Sequence, residues 1–256
     1  MQEYHWNDKF MSLDILLQSE KETTSDTLNR CNEESIEFSN LINIFFRLSY
    51  HCKEQVAPDS DDHYFITDAY FAYLRLPYSL RAIYDLWIKG YYLEAMIVYR
   101  QILEGLAYLR YFDNHRDNIK SHLGITMPRG RVRFRTMFEE IAPGFYGKYY
   151  GKTFSNIAHG GVAANLFRAE YSSPTEGRIV MGCEFSLKGS SLVTRTAILV
   201  SYGYLNYISV FFPSITSKIS PTMNNRIQNI LEHIENKYLK KCNDEFIKAI
   251  LPLICK

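Results

Sequence analysis

Two charged residues stand one helical turn apart in an otherwise apolar stretch. Arg100 and Glu104 lie between Ile97 and Tyr108, in a segment whose pattern predicts a helix. Side chains four residues apart share one helix face, so these two can pair. The pair could fix the register of a buried helix, or Arg100 could bind a phosphate or carboxylate while Glu104 orients it. The residues leave both interpretations open.

A second group of polar side chains closes an aromatic segment and is followed by two glycines. Its members are Lys152, Ser155, Asn156 and His159. A histidine there could transfer protons or bind phosphate, or it could simply stabilise the negative end of the helix dipole. We expect this group to meet the first pair inside one helical bundle.

A basic run supplies a third candidate site. Four arginines alternate with other residues, and Phe134 stands among them: Arg129, Arg131, Arg133 and Arg135. Such a run can contact the phosphates of RNA or a nucleotide, with the ring stacking on a base. It can equally be a solvated surface or a contact with a protein.

The elements that must position these groups are predicted to be helices. The segment from Tyr91 to Asp113 is apolar on two faces, which is typical of a helix buried in a bundle. The uncharged run from Thr196 to Phe212 is short and partly polar, so we interpret it as a core helix and not a membrane span. Weak alternation after Pro174 is compatible with a short β-hairpin near residues 178–187. The sequence therefore predicts an all-α fold, a multi-helix bundle, with an N-terminal arm (1–24) and a single helical domain (25–256).

Composition limits the classes of function. A net charge of +1 argues against a strongly basic nucleic-acid coat, and 20 Tyr with 16 Phe suit a homodimer. The five cysteines are scattered, so we expect neither disulfides nor zinc, and a reducing cytoplasm fits best. No signal peptide is expected. The sequence contains no glycine-rich phosphate-binding loop, no His-Glu-x-x-His metal-binding motif and no Gly-x-Ser-x-Gly nucleophile motif. We therefore expect no metal site and no cofactor.

Residues from about 68 to 163 resemble a bacterial all-helical family of unknown function. The resemblance rests on three features. They are an alanine-rich helix (here residues 79–95), an Arg-x-x-x-Glu motif in the next helix (Arg100 and Glu104) and a later Tyr–Ser–His segment (Tyr150, Ser155 and His159). One extra residue separates Tyr150 from Ser155 relative to the family pattern. The resemblance implies a helical fold and assigns no activity.

The same segment is similar to the end of the Rx4–6H motif of HEPN ribonucleases, an arginine followed after four to six residues by a histidine. Before His159 the arginine position holds Lys152 or Thr153, so that copy is degenerate. A literal match occurs at Arg110 and His115, which lie about 140° apart on a straight helix and converge only if the helix ends between them. This resemblance implies a dimeric helical protein, of the kind that serves as toxin or antiviral effector, cleaving RNA without metal.

Three functions remain open from the sequence. We favour a helical binding or assembly module of a bacterial defence or toxin system that contacts a partner protein. Whether such a module also binds RNA or a nucleotide is left open by the sequence. The alternatives are a HEPN-like endoribonuclease, and an enzyme acting on a small molecule around Arg100 and Glu104. A homo-oligomer or protein partner is expected, and membrane association is not.

Overall fold

The computed structural model describes residues 13–56, 62–127, 130–155, 169–173, 176–179, 184–240 and 244–255, and these form a bundle of packed helices. This confirms the predicted all-α fold. The helices are α1 (Leu13–Arg30), α2 (Asn32–Lys53), α3 (His63–Ile88), α4 (Tyr92–Asn114), α5 (Ile119–His122), α6 (Phe134–Ile141), α7 (Leu187–Phe211), α8 (Ile215–Lys218), α9 (Pro221–Ile234) and α10 (Glu245–Ile254). A 3-10 turn and two π-helical segments complete the helical structure: Arg116–Asn118, Tyr146–Ser155 and Glu235–Leu239.

Helices α3, α4 and α7 pack against one another and form the centre of the bundle. Large aromatic side chains fill this core, and a hydrogen bond to a buried tyrosine hydroxyl offsets the cost of removing it from water. Tyr73 of α3 donates a hydrogen bond to the backbone carbonyl of Tyr204 in α7. The Tyr204 hydroxyl in turn donates to the carbonyl of Ile102 in α4 at 3.0 Å. Buried tyrosines therefore link the three central helices through their backbones.

The uncharged part of α7 is buried, as the sequence predicts for a core helix. Gly203 allows α4 and the chain end near α10 to approach α7 closely. A Cβ at this position would lie 2.6 Å from Leu106 Cδ2 and 3.1 Å from Ile254 Cγ2. Among the helices that the structure describes, none has the length and apolar character needed to cross a membrane.

One predicted boundary and one proline fall inside continuous helices. Helix α1 runs from Leu13 to Arg30, across the limit placed between residues 24 and 25. Helix α3 continues through Pro77, a residue type that normally breaks or kinks a helix. Leu76 and Leu80 are buried on either side of this proline, so packing supplies the stability that the lost hydrogen bond would remove.

A two-stranded hairpin interrupts the helical pattern earlier than predicted. Strand β1 (Ala169–Ser173) pairs antiparallel with β2 (Glu176–Ile179), with Ala169 opposite Ile179. Arg178 and Ile179 belong to the second strand. The range predicted for the hairpin, 178–187, therefore overlaps it only at its start, and α7 already begins at Leu187.

Candidate functional site

Arg100 and Glu104 form the predicted ion pair on α4. The Arg100 Nε atom donates to Glu104 Oε1 at 2.8 Å, and the two side chains are 24% and 18% exposed. The helix is otherwise lined by buried apolar residues, since its neighbours pack on both sides. The pair therefore lies at the edge of the core, where its charges are only partly hydrated.

Tyr150, from the π-helical segment Tyr146–Ser155, completes a three-residue cluster with this pair. Its hydroxyl accepts a hydrogen bond from Arg100 Nε at 2.9 Å and donates one to Glu104 Oε1. The ring is held between Phe138, at 4.8 Å between centroids, and Tyr146, at 5.0 Å. We call Arg100, Glu104 and Tyr150 the Arg–Glu–Tyr cluster. It joins α4 to the π-helical segment, a kind of element that is rare and often occurs at functional sites.

Burial and hydrogen bonding set the charge states of the cluster. Burial raises the pKa of Tyr150, the hydrogen bond to Glu104 raises it further, and Arg100 only partly opposes this. Burial acts to lower the pKa of Arg100, but the hydrogen bonds with Glu104 and Tyr150 outweigh it, so that the pKa is raised. Tyr150 is thus a neutral donor and Arg100 a fixed cation at physiological pH. Within the described residues only Nε of the guanidinium is hydrogen-bonded, which leaves its two terminal nitrogens free to bind an anion.

The rest of the second predicted group lies at or beyond the end of the π-helical segment. Lys152 is exposed on it, and Ser155 is its last residue. Asn156 and His159 lie outside the described residues. The expected meeting of His159 with the Arg–Glu–Tyr cluster therefore stays a prediction. This segment contacts α4 through the hydroxyl of Tyr150 and through Phe154, whose ring lies 5.2 Å from that of Tyr99.

The residues of the literal Rx4–6H match engage different neighbours. The Arg110 guanidinium lies 4.2 Å from the centroid of the Tyr207 ring and donates to the backbone carbonyl of Pro252 in α10. Burial lowers the pKa of Arg110. His115, the C-cap of α4, packs its ring on Tyr111 at 4.4 Å between centroids and shares a 2.6 Å hydrogen bond with Glu140 of α6.

The basic run spans the start of α6. Arg131 and Arg133 precede the helix and Arg135 lies in its first turn, and all three are exposed. Phe134 is also exposed. Arg133 has an extended backbone, so the run changes from extended to helical at Phe134. Arg129 lies outside the described residues.

A surface of exposed aromatic side chains on α2 and α3 was not predicted from the sequence. Phe46 and Tyr50 on α2 are 40% and 68% exposed, and Phe71 and Tyr78 on α3 are 49% and 62% exposed. The Phe46 and Tyr78 rings meet edge to face at 5.2 Å between centroids. Tyr50 lies one turn from Phe46, and Phe71 lies two turns from Tyr78 on the same stripe, so the four belong to one side of the helix pair. We call them the aromatic face.

Two arginines flank this face without partners. Arg75 stands between Phe71 and Tyr78 on their stripe of α3, and Arg47 follows Phe46 on α2. Both are exposed, and within the part of the chain that the structure describes neither is hydrogen-bonded or ion-paired. By contrast Arg81, further along α3, pairs with Asp85 at 2.9 Å. The aromatic face therefore carries cationic groups whose hydrogen bonds are available to a ligand or partner.

Comparison with family models, curated proteins and solved structures returns no match for this chain.

Proposed function

We propose that this protein is a helical binding and assembly module whose aromatic face contacts a partner protein. The observation that carries the proposal is the exposure of four aromatic rings beside two unpaired arginines. Rings that lie in water gain free energy when they are buried, and Tyr and Arg are enriched among the residues that dominate binding. The separate engagements of Arg110 and His115 favour binding over the HEPN-like alternative.

The partner is a second copy of this chain. A two-fold contact places the same patch on both sides of the interface, so the patch must complement itself. The aromatic face does so, because it offers both aromatic rings and guanidinium groups. In a two-fold pair Arg75 of one copy can lie over the Tyr78 ring of the other, in a cation–π contact.

Sedimentation velocity over a wide range of protein concentrations tests the proposal. The wild type should dimerise, and Tyr78→Ala should weaken the dimer by about 2 kcal/mol, roughly 30-fold in dissociation constant. Phe134→Ala is the matched control, because it removes an exposed ring outside the face and should leave the dimer intact. A wild type that stays monomeric, or equal effects of the two substitutions, would contradict assembly through this face.

Binding of single-stranded RNA is the second candidate, and the basic run favours it. Arg131, Arg133 and Arg135 are exposed around the Phe134 ring, a combination suited to phosphates and stacked bases. Fluorescence anisotropy with a labelled single-stranded RNA, at low and high salt, measures such binding.

The same RNA, incubated without metal with wild type, His115→Ala and His159→Ala, tests the ribonuclease alternative. Cleavage lost in one variant would identify its histidine.

Two further functions are proposals on narrower grounds. A role in bacterial defence or toxin action rests on the sequence resemblance. An enzyme acting on a small phosphorylated or acidic molecule draws support from the free terminal nitrogens of Arg100, while Glu104 is already held by Arg100 and Tyr150.

A further inference from the structure

A groove runs between α2 and α9, on the side of α7 where both helices pack. Its volume is about 460 Å³, within the range of roughly 300–1,000 Å³ that small-molecule sites occupy. Three helices contribute its lining: Glu33, Ile36, Glu37, Asn40 and Leu41 from α2, Ile198 from α7, and Ile230, His233 and Ile234 from α9. None of the residues of the aromatic face is among them.

The floor and walls of the groove are aliphatic. Leu41, Ile198 and Ile234 form the floor and are almost completely buried. Ile230 is partly buried, and Ile36, at 55% exposure, stands on the α2 side of the opening. A ligand that fills the groove must therefore present a compact apolar body, because a polar body would lose its hydration without replacement.

The two carboxylates at the rim, Glu37 and Glu33, differ in the hydrogen bonds and ion pairs that they make. Glu37 accepts hydrogen bonds from His233, Lys237 and Tyr238 at 2.5, 2.8 and 2.8 Å, so both of its oxygens have partners. Glu33 is 86% exposed, and its nearest cation is Lys237 Nζ at 3.9 Å, a long and solvated pair. Glu33 is thus the carboxylate of the rim that a ligand can reach.

We infer that the groove binds an organic cation, a primary ammonium group attached to a compact aliphatic or aromatic body. The body lies on the aliphatic floor, and the ammonium group reaches Glu33 at the opening. The exposed carboxylate of Glu33 supports this. Lys237 lies 2.8 Å from Glu37 and 3.9 Å from Glu33, so of the two lining carboxylates Glu33 is the one without a short ion pair. This site is independent of the proposed dimer contact, because the two surfaces share no residue.

Two fluorescent probes that share one fluorophore test the charge requirement. Dansylcadaverine carries an ammonium group, and dansylglycine carries a carboxylate. Dansylcadaverine should bind with a saturable increase in emission at one site per chain, and dansylglycine should bind at least several-fold more weakly. Equal binding of the two probes, or no saturable binding of dansylcadaverine, would overturn the inference.

The site is located with labelled isoleucine methyl groups and two surface variants. In methyl NMR spectra, dansylcadaverine should shift the signals of Ile36, Ile198, Ile230 and Ile234 selectively. Glu33→Gln should weaken the ammonium probe about threefold and leave the carboxylate probe unaffected, as expected for an exposed charge pair. Glu54→Gln, the same charge change beyond the end of α2, is its control.

Ile36→Trp adds a steric test, because a larger ring at the exposed rim should obstruct the opening. Ile125→Trp is the control at an exposed isoleucine outside the groove. Loss of dansylcadaverine binding only in Ile36→Trp supports the site, provided that both variants melt at the wild-type temperature. Shifts at other isoleucines, or binding unchanged in Glu33→Gln and Ile36→Trp, would place the probe elsewhere and refute the proposal.

Discussion

The Arg–Glu–Tyr cluster and the aromatic face both combine tyrosine with arginine, and they differ in the hydrogen-bond partners of those residues. In the Arg–Glu–Tyr cluster the arginine and the tyrosine share one carboxylate and lie at the edge of the core. On the aromatic face Arg75 and Tyr78 stand on the surface, and no carboxylate is paired with that arginine within the described residues. The residue types are the same, and the hydrogen-bond partners differ.

The difference indicates which region stabilises the fold and which is available for binding. A charge that is paired inside the molecule stabilises it only while the partner is present, because removal leaves an uncompensated group in a poorly hydrated place. An exposed charge and an exposed ring contribute little to the free energy of folding. They contribute to the free energy of binding when a partner covers them. Substitutions should therefore affect unfolding in the first region and association in the second.

The largest effect on stability is expected from Glu104→Ala. It removes the counter-charge of Arg100 and the acceptor of the Tyr150 hydroxyl together. We expect the free energy of unfolding to fall by about 2 kcal/mol, below the range for a fully buried pair because both side chains are partly exposed. Urea unfolding monitored by circular dichroism measures this change.

A double substitution separates loss of the ion pair from loss of packing. Arg100→Met with Glu104→Leu removes both charges and keeps apolar volume, so it should be less destabilising than Glu104→Ala alone. If the double variant were the less stable of the two, the cluster would act mainly through the shape of its side chains, and the contrast between the two regions would weaken.

A smaller effect, with a distinct pH dependence, is expected from Tyr150→Phe. Loss of the hydroxyl should cost about 1 kcal/mol at neutral pH. The folded protein raises the pKa of Tyr150 above its ordinary value of 10.0, so the hydroxyl's contribution is complete below that pH and is lost as pH rises further. The unfolding free energy should thus decline less steeply above pH 10.0 in Tyr150→Phe, by at most about 1.4 kcal/mol per pH unit.

Tyr146→Phe provides the control for this pH experiment. Tyr146 stacks on Tyr150, so the substitution retains the ring contact while it removes a neighbouring hydroxyl. Parallel pH profiles for the wild type and Tyr150→Phe would show that the Tyr150 hydroxyl is not held by the cluster.

Much of the fold was predictable because local patterns and packing agree. The two apolar stripes place α4 within one residue of its observed ends, and Ser220 caps α9 through Met223 with Pro221 in the first helical position. The hairpin was misplaced because its strands are short and alternate only weakly. The course of α1 and of α3 through Pro77 depends on contacts with distant helices, which no local pattern contains.

The candidate sites were predictable only in part, for the same reason. Spacing alone reveals the Arg100–Glu104 pair, whereas the hydrogen bonds of Tyr150 require the packing of a segment 46 residues away. The aromatic face was missed because Phe46 is exposed while its neighbour Phe45 is buried, and residue type cannot distinguish the two. The signal that could have revealed it is the spacing of Phe46 and Tyr50, which lie four residues apart on α2 and off the face that carries the buried Phe45.

The smallest effect on stability is expected from Tyr78→Ala, the substitution that should weaken the dimer most clearly. Its ring is mostly exposed and contacts Phe46 only at an edge, so the unfolding free energy of the monomer should change by no more than about 0.5 kcal/mol. Urea unfolding at protein concentrations below the dimer dissociation constant measures this, since dimerisation would otherwise add to apparent stability. A loss comparable with that of Glu104→Ala would mean that the aromatic face supports the fold itself, and the proposed division between the two regions would be wrong.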